Sequence, residues 1–291
     1  MRLRVLTFIS VVALFVGGAA PASAASEGHS YLALGDSVPF GFNPLADPRD
    51  ANNFVGYPEI AAQLLNIEDV NATCPGEATG GFLSLTGTDN VCRLYRFGFH
   101  LPLHVFYTGT QMDFATSYLQ AHRDTRLVTL TLGANDLFRW QKDCALVPPS
   151  GTCSLGFGGV LAVMQANLKM IFKGLRATGY TGLIVAVTYY SLNYGDPVQV
   201  GGALALNAQM TAAAQAYGVF IADGFTAWEA TAATKSGDSC AAGLLIPESP
   251  TTCDVHPTPL GRDLLAHAVV DAVTNSCAEL DPIGCLNENR A

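Results

Sequence analysis

The feature that most constrains this chain is its rhythm. Short, largely apolar runs rich in β-branched residues alternate with longer stretches of helical period. Leu127 to Leu132 (LVTLTL) and Gly182 to Tyr189 (GLIVAVTY) are the strongest of the runs. Tyr31 to Leu34, Ile67 to Ala72 and Val219 to Ala222 have the same character. Between them, Tyr57 to Leu65, Ala203 to Tyr217 and Thr258 to Val273 read as helices. So do Leu161, Met164, Leu168, Ile171, Phe172 and Leu175, with Gly179 placed to end that helix. Strands that are continuous apolar runs, each followed by a helix, predict an α/β fold with a parallel sheet buried on both faces. In such sheets ligands bind beyond the carboxyl ends of the strands, so polar residues just after each run are the first candidates for function.

The N-terminus sets the expected compartment. Arg2 and Arg4 precede an apolar run from Val5 to Val16, and Ala22-Ser-Ala24 closes it with small residues. That layout predicts a secretory signal peptide over residues 1–24, cleaved near Ala24, and a secreted, extracellular protein. The run is too short to span a bilayer, and no later segment reads as a membrane span; no stable membrane insertion is expected. Removing 24 of 291 residues leaves 267, an ordinary size for one α/β domain over residues 25–291. The leader carries two of the 15 basic residues and no acid. The mature balance is therefore 13 basic against 24 acidic side chains, a net −11. That excess is a poor match to nucleic acid, and no such partner is expected.

Eight cysteines fall after the leader. An even number in an exported chain predicts disulfides. Pairing of neighbours closes the shortest loops: Cys74–Cys92, Cys144–Cys153, Cys240–Cys253 and Cys277–Cys285. There is no Cys-x-x-Cys and no His/Cys group at zinc-ligand spacing, so neither a metal nor a cofactor is expected. The stretches Gly80 to Thr110, Leu137 to Gly158, Ser191 to Gly202 and Gly224 to Thr252 read as long loops holding most of the cysteines.

Four polar sites stand at the ends of these runs or before the last helix. Gly35-Asp-Ser37 follows the first strand, Cys74-Pro-Gly76 the second, and Gly133-Ala-Asn-Asp136 the strongest one. Asp254-Val-His256-Pro257 precedes the last helix. A serine needs a base to become a nucleophile, and the oxyanion formed on an acyl carbon needs positioned donors. Taken singly, each site is a turn, a cap or a surface histidine. Together they bring a serine, a histidine, a side-chain amide and a glycine N–H to one rim of the sheet.

In this order and spacing the four blocks resemble those of the SGNH hydrolases, the GDSL lipases and esterases, across nearly the whole mature chain. Leu101 to Val105 and Gln111 to Asp113 look like segments of exported actinobacterial members. The resemblance implies a three-layer α/β/α sandwich with a parallel flavodoxin-like sheet. It also implies esterase or lipase activity, with a carbohydrate O-deacetylase or phospholipase as the alternative on the same site. Ser37 would be the nucleophile and His256 the general base. The Ser37 N–H, the Gly76 N–H and the Asn135 amide would form the oxyanion hole. The expected partner is a small-molecule, lipid or glycan ester, and the expected state is a monomer.

One position departs from the pattern. The family places its acid three residues before the histidine, where this chain has Cys253. Asp254 is one residue off, and the reading favours a backbone carbonyl upstream of His256 as the group that orients the ring, with Asp254 kept as a candidate. Elsewhere, His29, His100, His104, His122 and His267 read as surface or core, Asp136 as the stabiliser of its own turn, and Asn71-Ala-Thr73 as loop. The aromatics Tyr95, Phe97, Phe99, Phe106 and Tyr107 read equally as an acyl pocket or as core.

Overall fold

The computed structural model describes residues 30–280, with side chains to residue 276. The leader at residues 1–24 and the Cys277–Cys285 pair lie outside the described residues. Five parallel strands form the main sheet: β1 (Ser30–Gly35), β2 (Glu68–Asn71), β3 (Thr125–Thr131), β4 (Leu183–Val187) and β5 (Phe220–Ala222). Their spatial order is β2-β1-β3-β4-β5. Each run that the sequence marks as a strand is one. β1 and β4 are buried at every residue, as strands covered on both faces must be.

The helices are α1 (Ser37–Phe40), α2 (Tyr57–Leu65), α3 (Thr79–Leu83), α4 (Gln111–Ala121), α5 (Ala134–Ala145), α6 (Gly156–Ala177), α7 (Pro197–Ala214), α8 (Gly224–Ala233) and α9 (Pro259–Leu280). α6 packs with α3, α4, α5 and α7, while α9 packs with α2 and α8 and against β4 and β5. This is the α/β class with helices flanking a parallel sheet. Residues 151–177 are long and apolar enough to cross a membrane by length and composition, contrary to the expectation of no later segment of that kind. Here Met164, Leu168, Ile171 and Phe172 of that segment are fully buried in the core.

All four expected loops contain regular structure. The stretch after Gly224 begins with α8, whose first turn is capped by Asp223: its Oδ1 accepts from the Thr226 N–H at 3.0 Å. Residues 137–145 continue α5. A second sheet, not foreseen, pairs β6 (Leu245–Pro247) antiparallel with β7 (Cys253–Pro257). Three disulfides pair as neighbours: Cys74–Cys92, Cys144–Cys153 and Cys240–Cys253. The last ties β7 to the segment before β6. Asn71, read as loop, is the buried final residue of β2, and its side chain donates to the Pro39 carbonyl at 2.9 Å.

Candidate active site

The strand order reverses direction between β1 and β3, and in this topology the crevice lies beyond their carboxyl ends. Ser37 follows β1 and Asn135 follows β3, so both stand at that crevice.

Only glycine fits the exit of β1. Gly35 has a φ of +132°, and a Cβ there would lie 2.1 Å from the Thr131 carbonyl oxygen. The close approach lets the Asp36 N–H donate to that carbonyl at 3.1 Å. Gln111, at the start of α4, grips both peptide groups of Gly35. Its Oε1 accepts from the Gly35 N–H at 2.6 Å and its Nε2 donates to the Gly35 carbonyl at 2.9 Å. Asp36 then caps α1, accepting from the Val38 N–H at 2.9 Å. Ser37 is the first residue of α1, so its N–H has no intrahelical acceptor.

Asp36 is buried and sits among donors. The Tyr189 hydroxyl donates to its Oδ2, and the Asn135 Nδ2 reaches the same oxygen at 3.4 Å. Burial pushes its carboxyl up to about 6, against the lowering effect of Tyr189 and of the Val38 N–H.

Gly76 follows β2 with a φ of +79°, and a Cβ there would meet Val91 Cγ2 at 2.1 Å. Asn135 lies in the first turn of α5 and is buried. Its Oδ1 accepts from Asn90 Nδ2 at 2.9 Å. Among the described residues, neither the Ser37 N–H nor the Gly76 N–H donates within the protein. Asp136, expected from the sequence to stabilise its own turn, also reaches across to another element. Its carboxylate accepts from the Thr79 N–H at 3.0 Å and the Thr79 hydroxyl at 2.6 Å, tying α5 to the start of α3.

His256 comes from β7, and here the structure departs from expectation. The side chain that meets Nδ1 is the carboxylate of Asp254, not a carbonyl. The Asp254 Oδ1 also accepts the His256 backbone N–H at 3.0 Å. The reason is strand periodicity. Residues 253–257 form a strand, and residues two apart in a strand project to the same face. The shift away from position 253 turns the acid toward the histidine's own side. The nearest upstream carbonyl, that of Val255, instead accepts the Tyr190 hydroxyl at 2.7 Å. Burial pulls the Asp254 carboxyl up, but the hydrogen bonds and charge of His256 outweigh it and hold the group below its ordinary value. The Phe42 ring stands edge-on to the imidazole, 5.0 Å between centroids. With Nδ1 engaged, Nε2 is the nitrogen left to take a proton.

Ser37, Asn135 and His256 line one cavity of about 390 Å³. Its walls are mostly apolar: Leu137 and Phe138 of α5, Tyr190 and Leu192 after β4, and Val198 and Leu206 of α7. None of the aromatics between Tyr95 and Tyr107 is among them. Tyr95 and Tyr107 are buried elsewhere, while Phe97, Phe99 and Phe106 are exposed. Sequence reading missed the true wall, although Leu137 and Phe138 directly follow the Asn135-Asp136 pair. Among the described residues, the only grouping with metal-ligand geometry is Cys74, Glu77 and Cys92, and its two sulfurs are bonded to each other. They offer no thiolate to a metal.

A serine at a strand exit, a histidine paired with a carboxylate and a side-chain amide meet in one crevice of this α/β fold. Residues 33–264 match the sequence profile of the GDSL-like Lipase/Acylhydrolase family. The chain belongs to that family. No curated protein sequence matches it. Among solved structures it is similar to phospholipase A1 from Streptomyces albidoflavus NA297, with 18% identity over 84% of this chain and 99% of the other, at a TM-score of 0.54. An acetylxylan esterase from Geobacillus stearothermophilus has 15% identity over 84% and 94%, with a TM-score of 0.51. The lipase Lip_vut3 from a goat rumen metagenome has 15% identity over 84% and 96%, with a TM-score of 0.50. At these identities the likeness is one of fold.

Proposed function

We propose that this protein is an exported carboxylic ester hydrolase that works through an acyl-enzyme on Ser37. The observation that carries the reading is the convergence of Ser37, Asn135 and His256 on one apolar cavity at the β1/β3 crevice.

In the first half-reaction His256 Nε2 takes the Ser37 hydroxyl proton as Oγ bonds to the ester carbon. The carbonyl oxygen becomes an oxyanion, received by the Ser37 N–H, the Gly76 N–H and the Asn135 Nδ2. The imidazolium then gives its proton to the departing alcohol, leaving the acyl group on Oγ. Water repeats the sequence, with its proton passing through His256, and frees the acid. Asp254 holds the Nδ1 proton throughout and offsets the imidazolium charge. No cofactor enters this scheme.

The wall chemistry favours an acyl chain of several carbons over acetyl. A cavity of about 390 Å³ lined by leucine, valine, phenylalanine and tyrosine suits a hydrocarbon tail, and an acetyl group would leave most of it empty. The phospholipase and lipase likenesses are compatible with that choice, whereas the acetylxylan esterase represents the alternative. Three disulfides suit an oxidising, extracellular setting and agree with the leader read from residues 1–24.

The test is hydrolysis of p-nitrophenyl esters of increasing chain length, beside phospholipid and acetylated xylan, by the wild type and by Ser37→Ala. Loss of the nucleophile should cost on the order of 10⁶ in kcat. A folded Ser37→Ala protein that still turns over ester at the wild-type rate removes the assignment.

A further inference from the structure

A side-chain amide can present either its oxygen or its NH₂ to a ligand, and only the NH₂ serves an oxyanion. Something must fix that choice at Asn135. Two contacts do so. Asn90 Nδ2 donates to Asn135 Oδ1 at 2.9 Å, and the Asp36 carboxylate receives Asn135 Nδ2 at 3.4 Å. The first is the shorter and claims the oxygen outright. The NH₂ is thereby turned toward Asp36, with one proton on the carboxylate; the other has no acceptor among the described residues, and Asn135 lines the cavity.

The same residue holds the second donor. The Asn90 N–H and the Val91 N–H donate to the Gly76 carbonyl at 3.2 and 3.3 Å. Val91 also packs where a Gly76 side chain would go. The segment that does this is itself pinned. Cys92 is bonded to Cys74, two residues before Gly76. Asp89 caps the following turn by accepting the Cys92 and Arg93 N–H groups, each at 3.1 Å. The Asp89 carbonyl accepts Arg139 Nη1 of α5 at 3.2 Å. The helix that carries Asn135 therefore also anchors the segment that orients it.

We infer that Asn90 is a positioning residue for this ester hydrolase. It sets the flip of the Asn135 amide through its side chain and the placement of Gly76 through its backbone, so that both donors meet the oxyanion already oriented. The inference rests on the roles proposed above for Ser37, Gly76 and Asn135. Asn90 itself touches no substrate.

Asn90→Asp is the informative change. A carboxylate of the same shape has no proton to give to Asn135 Oδ1 and attracts its NH₂ instead. The Asn135 amide then turns its oxygen toward the developing oxyanion. With rates divided by the sites titrated with an organophosphate, kcat should fall about 10²-fold, the cost of a lost oxyanion donor, with KM little changed. The Ki of phenylboronic acid, which forms a tetrahedral adduct on serine, should rise in parallel. Asn90→Ala removes only the orienting bond and should cost about three- to tenfold in kcat. In the Asn90→Asp background the further change Asn135→Ala should add little, because the two act as a unit.

Normal kcat per titrated site in Asn90→Asp, beside a severe loss in Asn135→Ala, overturns the inference while leaving the site reading intact. Additive losses in the double variant also overturn it, since they would mean that the new charge acts on its own. Should Asn90→Asp give no titratable protein, Asn90→Ala decides alone: wild-type kcat there refutes the positioning role. A wild-type rate in Ser37→Ala would refute the underlying reading instead, so the two failures are separate.

Discussion

Replacing Asp254 with asparagine tests the geometry of β7 most directly. If no carboxylate served the histidine, the change would be nearly silent. If Asp254 behaved as a fully buried triad acid, asparagine would cost about 10⁴, because the amide NH₂ would force the wrong ring tautomer. This structure predicts neither. The Asp254 Oδ1 accepts both the ring Nδ1–H and the backbone N–H of His256. Two donors on one oxygen keep an asparagine in the carbonyl-facing flip, so the tautomer survives. What is lost is the charge opposite the imidazolium. At about 4 Å and an effective dielectric near 20 that attraction is about 4 kcal/mol. The Asp254 side chain is 20% exposed and that of His256 13%, so water screens part of it. About half remaining gives a loss of about 10- to 10²-fold in kcat/KM. Asp254→Ala loses the charge and the acceptor together and should fall to about 10³. The assay is p-nitrophenyl ester hydrolysis by both variants and by His256→Ala at one pH, normalised to titrated sites. Equal losses in Asp254→Ala and Asp254→Asn would refute the tautomer argument. Wild-type rates in both would return the orienting role to a backbone carbonyl.

Three further outcomes are expected. Asn135→Ala should lower kcat by about 10²–10³ at nearly constant KM, because its bond matures only as the oxyanion forms; a mutant altered in KM alone would make it a substrate-binding group. Glu77, buried beside Gly76, has its carboxyl raised to about 8 by burial first and by Asp89 second. A raised acid favours the native state at low pH, and that advantage disappears as pH climbs from the unfolded value toward 8. Relative to Glu77→Gln, the wild type should lose about 3–4 kcal/mol between pH 5 and pH 8 in urea titrations, and parallel stability curves would show that Glu77 is not held in this way. Each methylene buried in the cavity is worth about 0.8 kcal/mol, so kcat/KM should climb about fourfold per carbon from acetate until the space is full. Gly202 lines the cavity with open space where a Cβ would stand, and Gly202→Phe should cut that climb short; a profile that peaks at acetate in the wild type would point to a deacetylase.

Much of the fold was legible because its signals are local. Buried parallel strands must be apolar on both faces, so β3 and β4 announced themselves within a residue or two of their ends. Gly35 and Gly76 were legible as turns because only glycine fits their backbones. α8 was missed because Gly224 to Ala233 mixes glycine, threonine and alanine without an apolar stripe, and its helix rests on the Asp223 cap and on burial of Trp228 against α9. β6 and β7 were missed because a short antiparallel pair holding Pro247 and Pro257 lacks the alternation that marks a strand. That omission produced the misjudgement at Asp254. A residue offset counted along a loop carries no facing, whereas along a strand it decides everything.

The parts of the site that were not legible share a physical cause. Ser37, Gly76, Asn135 and His256 each follow or end an element, and sequence order reveals elements. Gln111, Asn90 and Tyr189 act through hydrogen bonds to residues 76, 45 and 153 positions away along the chain. No periodicity encodes such pairs. Yet these bonds set which way the reactive groups face. Gln111 fixes the peptide from which Ser37 departs, Tyr189 sits on the carboxylate that receives the Asn135 amide, and Asn90 claims that amide's oxygen. An oxyanion hole gains its effect from donors oriented before the charge develops. A chain that kept the four visible residues and lost these three would retain the chemical groups but not their orientation. The rate should therefore be divided between residues that the motif displays and residues that only the fold brings to them.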